Sequence, residues 1–242
     1  MNIQSFHYEF KLKMDRVDTM SSTDFNAAEI DWLINEAQLV YINNRINPAK
    51  KARGFEGDQK RIDDLSTLVI KYPIQPGITP TLLDAEIYEV DLADLSYPYL
   101  HLISAFTNVD LGNDCIKSTP LKFIQHDDYR EALRDPFNSP SLDFIPYNFG
   151  RSTAGNSSAI FIYTSNLSGT LDKVFVEYIK RPVKVSLGTY QYIDGITYPT
   201  TDCELPEHTH SEIVDLACLL AATAIESPEY LQLKTLKMSL TD

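Results

Sequence analysis

Apolar positions recur with two different periods along the chain, and the changes of period divide it into three stretches. In the first, Ile30, Leu33, Ile34, Ala37, Val40 and Tyr41 follow the i, i+3, i+4, i+7 spacing of one helix face, with Asp31, Asn35 and Gln38 between them. Asn26 and Glu29 stand ahead of the run in the form of a capping box, with Asn in place of Ser or Thr; Ser22 and Thr23 are alternative caps. The pattern predicts a helix running to about Asn44 and ended by Pro48. A basic, Gly-containing linker follows over 47–57, then a short helix over 58–65. Upstream, Phe6, Tyr8 and Phe10 alternate with polar residues within 1–13. That period of two predicts an extended arm, either an edge strand of its own fold or a strand added to a neighbouring molecule's sheet.

From Leu68 to Leu187, period two and turn residues take over. Strands are expected at 67–72 (ended by Pro73), 85–90, 100–106, 120–125, 158–163 and 174–179. The last two are richest in β-branched and aromatic residues and, with Asn166-Leu-Ser-Gly169 between them, read as an antiparallel pair. A short helix is expected at 127–133, opened by acids at its positive end. In the third stretch, Glu204-Leu-Pro206-Glu207 forms a lead-in turn. An apolar stripe follows at Ile213, Leu216, Ala217, Leu220, Ala221 and Ala224, whose alanines let another helix approach closely. Pro228 breaks the run, and 230–240 reads as a further turn or two of helix. The expected fold is α+β, with the terminal helices packed together and a mainly antiparallel β region inserted. Its segments are an N-terminal arm and helical part (1–66), the β-rich insert (67–203) and a C-terminal helical part (204–242) that completes the first.

Hydrophobic residues make up 43% of the 242, enough for a core. The net charge of −13 makes a surface that repels phosphates, so DNA nearby is tolerated and not gripped, as on an acidic channel wall; solubility is the plainer use of such charge. Lys50, Lys51 and Arg53 form the basic patch of note, expected to face acidic neighbours or solvent. No run of 18 apolar residues is present, so no membrane span is expected, and 1–13 lacks an apolar signal core. Three cysteines without CxxC spacing fit synthesis in a reducing compartment. The 14 tyrosines suit surfaces that become contacts.

Catalytic patterns fail one by one. There is no GxGxxG, P-loop or GxSxG, and Gly150-Arg-Ser152-Thr-Ala-Gly155 has the wrong spacing for a nucleophile elbow, so it reads as a loop. His208 and His210, near Glu207 and Glu212, raise the question of metal, but residues two apart diverge on a helix. Helix capping by Thr209 or Ser211 is the expected role of that segment. No catalytic residue, metal or cofactor is therefore expected.

The run Glu204 to Ala217, ending at Ile225-Glu-Ser-Pro228, resembles a pattern in structural proteins of crAss-like and related Bacteroides phages. Ile30–Gln38, Leu133-Arg-Asp-Pro-Phe137 with Pro140-Ser141, and Val176–Pro182 fit the same resemblance, which spans roughly 25–228. The resemblance implies a non-enzymatic virion protein, a head-to-tail connector or neck-ring subunit, made in the bacterial host cytoplasm. Such rings are commonly twelve-fold, matching the portal. The implied partners are further copies of the chain in a homo-oligomeric ring, the portal protein, and other neck or tail proteins. Packaged DNA passes without specific binding, and no membrane is involved. Other virion roles (tail-tube, minor capsid or fibre-attachment subunit) and a phage-encoded hydrolase are the alternatives. Candidate subunit contacts are Phe6, Tyr8 and Phe10 of the arm and Lys50, Lys51 and Arg53 of the linker.

Overall fold

The structure, a computed structural model, describes residues 1–17, 25–46, 59–84, 86–112, 115–135, 139–165, 167, 169–188, 190–191 and 194–224. The linker at 47–57 and the last helix expected at 230–240 lie outside the described residues. The helices are α1 (Ile3–Val17), α2 (Ala27–Ile46), α3 (Gln59–Leu65), α4 (Tyr129–Arg134) and α5 (His210–Ala224). The strands are β1 (Val69–Ile70), β2 (Thr81–Asp84), β3 (Ile87–Asp91), β4 (Tyr99–Asp110), β5 (Ile116–Phe123), β6 (Ile145–Arg151), β7 (Ser158–Tyr163) and β8 (Thr170–Lys180). The fold is α+β, and the chain divides into two compact units: Met1–Leu68 with Pro182–Asp242, and Val69–Arg181.

In the helical unit, α2 begins at the expected cap. The Asn26 amide donates to Glu29 Oε2 (2.9 Å), and the Asn26 carbonyl accepts from the Ile30 amide (3.0 Å). Its apolar face buries Ile30, Leu33, Ile34, Ala37, Tyr41 and Ile42. The stripe on α5 is rotated from the expected one. Ile213, Val214, Ala217, Cys218, Ala221 and Ala222 are buried, whereas Leu216 and Leu220 are half-buried and Ala224 is exposed. Small side chains face the other helices because they permit the closer approach.

The N-terminal arm is not extended. Residues 3–17 form α1, started by Asn2, whose Oδ1 accepts from the Ser5 amide (2.9 Å) and hydroxyl (2.7 Å). Ile3, Phe6 and Phe10 stand at i, i+3 and i+7 and are fully buried, while Tyr8 is 72% exposed. Phe6 lies 4.9 Å from the His210 ring, and Phe10 meets Phe25 edge-on at 5.6 Å. Each of these three burials contributes about 1.5–3 kcal/mol, and an extended arm would bury only one side of the alternation. The helix therefore wins over the period-two reading.

The strand unit holds one sheet in the order β1-β8-β4-β5-β6-β7-β3-β2, with every pair antiparallel except the parallel β5–β6. The expected pairing of 158–163 with 174–179 does not form. β7 lies between β6 and β3, and β8 lies between β4 and β1. The long β4 is the stronger partner for β8, with a ladder reaching from Tyr99↔Lys180 to Asp110↔Thr170. Ile160 and Ile162 of β7 nevertheless share one core with Val174, Val176 and Tyr178 of β8, so the two halves of the sheet pack their inner faces together. Pro120 marks the changeover. Up to Pro120, β5 pairs with β4; from Leu121 it pairs with β6. A residue with no amide hydrogen suits the point where one ladder stops and another starts.

Several strand bounds differ from expectation. The strand at 67–72 shrinks to Val69–Ile70 after a 3₁₀ turn at Ser66–Leu68, and β2 and β6 were not expected. Gly150 and Arg151, read as loop, end β6. A Cβ at Gly150 would sit 2.5 Å from the Phe161 ring, so the strand needs glycine where that ring crosses it.

Candidate functional site

Of the polar residues between the apolar positions of α2, Asp31 and Gln38 are buried and Asn35 is half-buried. Asp31, Asn35 and Gln38 share a face at i, i+4 and i+7, with Asp31 and Gln38 at 0% and 1% exposure. Together they hold the returning segment 182–205. Asn35 Nδ2 donates to the Val185 carbonyl (2.9 Å), and the Val185 amide donates to Asn35 Oδ1 (2.8 Å), so the side-chain amide replaces a neighbouring strand. The Leu187 amide donates to Asp31 Oδ2 (2.8 Å), while His7 Nε2 lies 2.6 Å from Asp31 Oδ1. Cys203 donates from Sγ to Gln38 Oε1 (3.7 Å), and burial pushes its thiol up to about 11, leaving it unreactive at neutral pH. Sequence reasoning placed these residues between the stripe but missed their role. The legible signal was three polar residues on one helix face, each able to accept a hydrogen bond.

A second cluster surrounds Asp64, which is fully buried on α3. His208 Nε2 lies 2.8 Å from its Oδ1. Arg45 Nε lies 2.8 Å from its Oδ2 as an ion pair, off the line of a hydrogen bond. Arg45 also donates to Glu212 Oε2 (2.6 Å) and stands 4.7 Å over the Tyr41 ring. Burial works against the Arg45 charge, but the Tyr41 hydroxyl and the Glu212 and Asp64 carboxylates more than offset it and hold its pKa above the ordinary value. His210 takes a different direction from His208. Its Nε2 faces the Leu205 carbonyl at 2.8 Å, and burial lowers its pKa. The two histidines thus diverge. α5 starts through a 3₁₀ turn at Glu207–Thr209, not from a hydroxyl cap: Thr209 Oγ1 donates to the Pro206 carbonyl (2.8 Å), and Ser211 Oγ to Glu9 (3.3 Å). Among the described residues, no group of three His, Cys, Asp or Glu is arranged to hold a metal ion.

In the strand unit, Glu89 and Asp91 of β3 fasten the loop 152–157. The Thr153 amide (2.8 Å) and hydroxyl donate to Glu89, and the Ser157 hydroxyl donates to Asp91 (2.8 Å). Ser152, the serine of the glycine-flanked motif, is buried and takes part in the same fastening. On the outer face of the sheet, a row of rings crosses the strands. Tyr72 meets Phe175 edge-on at 5.4 Å, Phe175 stacks on Phe106 at 4.8 Å, and Phe106 pairs across the ladder with Pro120. Tyr72 is 60% exposed, Phe175 and Phe106 are half-buried, and Pro120 is exposed.

Of the candidate subunit contacts, Phe6 and Phe10 are enclosed in the helical unit, Tyr8 faces outward, and Lys50, Lys51 and Arg53 lie outside the described residues. No described helix is long and apolar enough to cross a membrane. No curated protein matches the chain. Over residues 1–229, which reach across both compact units, the chain matches the family described as phage tail ring protein 3/4, and it belongs to that family of virion ring proteins.

Proposed function

We propose that this chain is a non-enzymatic subunit of the ring joining the capsid portal to the tail, present in twelve copies and touching the portal and other neck or tail proteins. The observation that carries the reading is the extent of the family match, which takes in the helices and the strand insert alike. The groups that would serve chemistry support it through their internal duties. His7 is engaged with Asp31, His208 with Asp64, His210 with Leu205, and Ser152 with the loop fastening. Assembly then resides in surface contacts, with Tyr8 of α1 exposed for one and the basic residues Lys50, Lys51 and Arg53 of the sequence as further contacts. The charge of −13 favours a channel wall past which DNA slides without sticking. Subunit contacts in such a ring are head-to-tail and bury well over roughly 1,000 Å².

The test is a density map of the intact virion, with the chain traced into it. The expected result is a closed ring directly below the portal. The chain's absence from purified virions, or its location away from the portal-to-tail junction, overturns the reading.

A further inference from the structure

We propose that copies of this chain join head to tail through a knob and a groove at opposite ends of β4: the tip of the β4–β5 hairpin, Leu111 with Ile116, enters a groove beside Tyr97 and Tyr99 on the next copy. Both parts lie in the strand unit. The tip is a tight turn. Asp110 pairs with Ile116, the Leu111 amide donates to the Cys115 carbonyl (2.9 Å), and Gly112 takes the left-handed conformation with φ at 84°. The tip also stands clear of the sheet. β6 joins β5 only from Leu121, so Ile116 to Ser118 have β4 on one side and, among the described residues, no strand on the other. Ile116 is 58% exposed, and Leu111 and Cys115 are exposed beside it. Single exposed apolar residues mean little by themselves. These gain a meaning from what stands at the other end of the strand.

β4 runs from Tyr99 to Asp110, which puts tip and groove roughly 35 Å apart. The groove, about 410 Å³, is lined by Leu92, Ala93, Leu95, Tyr97, Pro98 and Tyr99. That lies within the ~300–1,000 Å³ of sites that enclose a small organic group, so two aliphatic side chains fit. Charge selects the occupant. Lys180 Nζ lies 5.1 Å from the Tyr97 ring centroid, and the exposed Arg181 donates its amide to the Pro98 carbonyl (2.8 Å), so two cations border the groove. Asp91 is engaged by the Ala93 amide and the Ser157 hydroxyl, and Asp94 is exposed. The tip carries the opposite sign: Asp110 is exposed, while Lys117 pairs with Asp143 of its own chain (3.5 Å). In a chain of −13, whose copies repel over most of their surfaces, an acidic apolar tip and a basic apolar groove are complementary. Because they are different surfaces at opposite ends, each copy gives its tip to one neighbour and its groove to the other. A modest turn at each step closes such a series into a ring. The inference rests on the ring reading for the head-to-tail sense of the contact, and not on the level of the ring in the virion.

The experiment uses the full chain and sedimentation velocity over a concentration series. The unaltered protein should associate reversibly beyond the dimer. Ile116→Lys, which blunts the tip, and Ala93→Trp, which fills the groove, should each weaken association about tenfold or more. Both positions are exposed, and far-UV circular dichroism checks that the variants fold. Mixed one to one, the two variants should form a dimer and stop there, because one keeps its groove and the other its tip. A second arm needs no disruptive change. With Ser96→Cys in the groove segment and diamide as oxidant, the exposed Cys115 of one copy should bond to the introduced thiol of the next, giving a ladder of dimers, trimers and longer species on non-reducing gels. An unaltered chain that stays monomeric, variants that associate like the parent, a mixture that forms no dimer, or covalent dimers without a ladder each overturn the proposal. None of these outcomes bears on whether the ring stands below the portal, which the virion map reads separately.

Discussion

Arg45 is the residue whose removal tests the helical unit most sharply. Its side chain is 23% exposed, and it faces an Asp64 side chain that is only 1% exposed. Arg45→Met keeps the aliphatic stem against Tyr41 and removes the guanidinium's contacts with Glu212, with Asp64 and with the hydroxyl and ring of Tyr41. The bond to the half-exposed Glu212 contributes less than about 1 kcal/mol. The position over the Tyr41 ring contributes about 0.5–1 kcal/mol. The largest effect is the carboxylate left behind, because a buried charge stripped of one partner costs about 3–5 kcal/mol. His208 still faces Asp64 and Arg45 is partly solvated, so the lower end applies to that effect, and with the two smaller contributions the expected loss is about 4–5 kcal/mol. Urea unfolding followed by tryptophan fluorescence reads this unit alone, since Trp32 on α2 is the chain's one tryptophan. At a slope of roughly 2 kcal/mol per molar urea, the midpoint should fall by about 2–2.5 M. Glu212→Gln should lower it by under about 0.5 M. Adding Asp64→Asn to Arg45→Met should return part of the loss, because the abandoned charge is then gone. If Arg45→Met costs no more than Glu212→Gln, the buried-charge account is wrong.

Other changes probe separate parts. Asn35→Leu strands both the amide and the carbonyl of Val185 and should cost about 2 kcal/mol in the same urea assay. On α5, Ala217→Leu should destabilise by about 1–3 kcal/mol through overpacking, more than Leu216→Ala at its half-buried neighbour; the reverse order in thermal melts would contradict the rotated stripe. In the strand unit, Glu89 is buried, which works against its charge, yet the bonds from Thr153 and Ser152 hold its pKa below the ordinary 4.5. The Ala93 amide, with Ser152 and Ser157, does the same for Asp91 below 3.8. Both lowered values mean stability present above the ordinary carboxylate range and lost as pH falls through the folded values. Near-UV circular dichroism of the tyrosines against pH should show the transition, and Glu89→Gln should flatten it. Tyr8→Ala, at a 72% exposed site, should leave stability within about 0.5 kcal/mol while reducing incorporation into assembled particles, as quantified by mass spectrometry of virions.

Much of the helical part was legible because α2 carries both a start signal and a full stripe. α1 was misread for a reason visible in its residues. Phe6, Tyr8 and Phe10 alternate, but Ile3, Phe6 and Phe10 also satisfy a helix, and Asn2 supplies the cap; an aromatic run this short fits both periods. The pairing of β7 with β8 failed because chain proximity is a weaker constraint than ladder length, and β4 offered β8 the longer ladder. The α2 track was out of reach for a different reason. Whether a polar side chain meets water or a backbone group depends on what returns to it, and Val185 returns to Asn35 from 150 residues away. The outer aromatic row was hidden in the same way, since Tyr72, Phe106 and Phe175 are brought together only by strand order.

The division of the chain also sets a timetable for its synthesis. The strand unit is one continuous stretch, Val69–Arg181, so it can close as soon as it leaves the ribosome. The helical unit cannot, because α5 and the segment that Asn35 grips are made last. At roughly 5–20 residues per second, α1 and α2 wait on the order of ten seconds with Phe6, Phe10, Ile30 and Ile34 uncovered. During that interval the newborn chain offers the sticky surface of a folding intermediate. Host chaperones are then the first proteins it meets, and a circular permutant that begins in the 182–209 stretch, making α5 before α1 and α2, should shorten its stay with them.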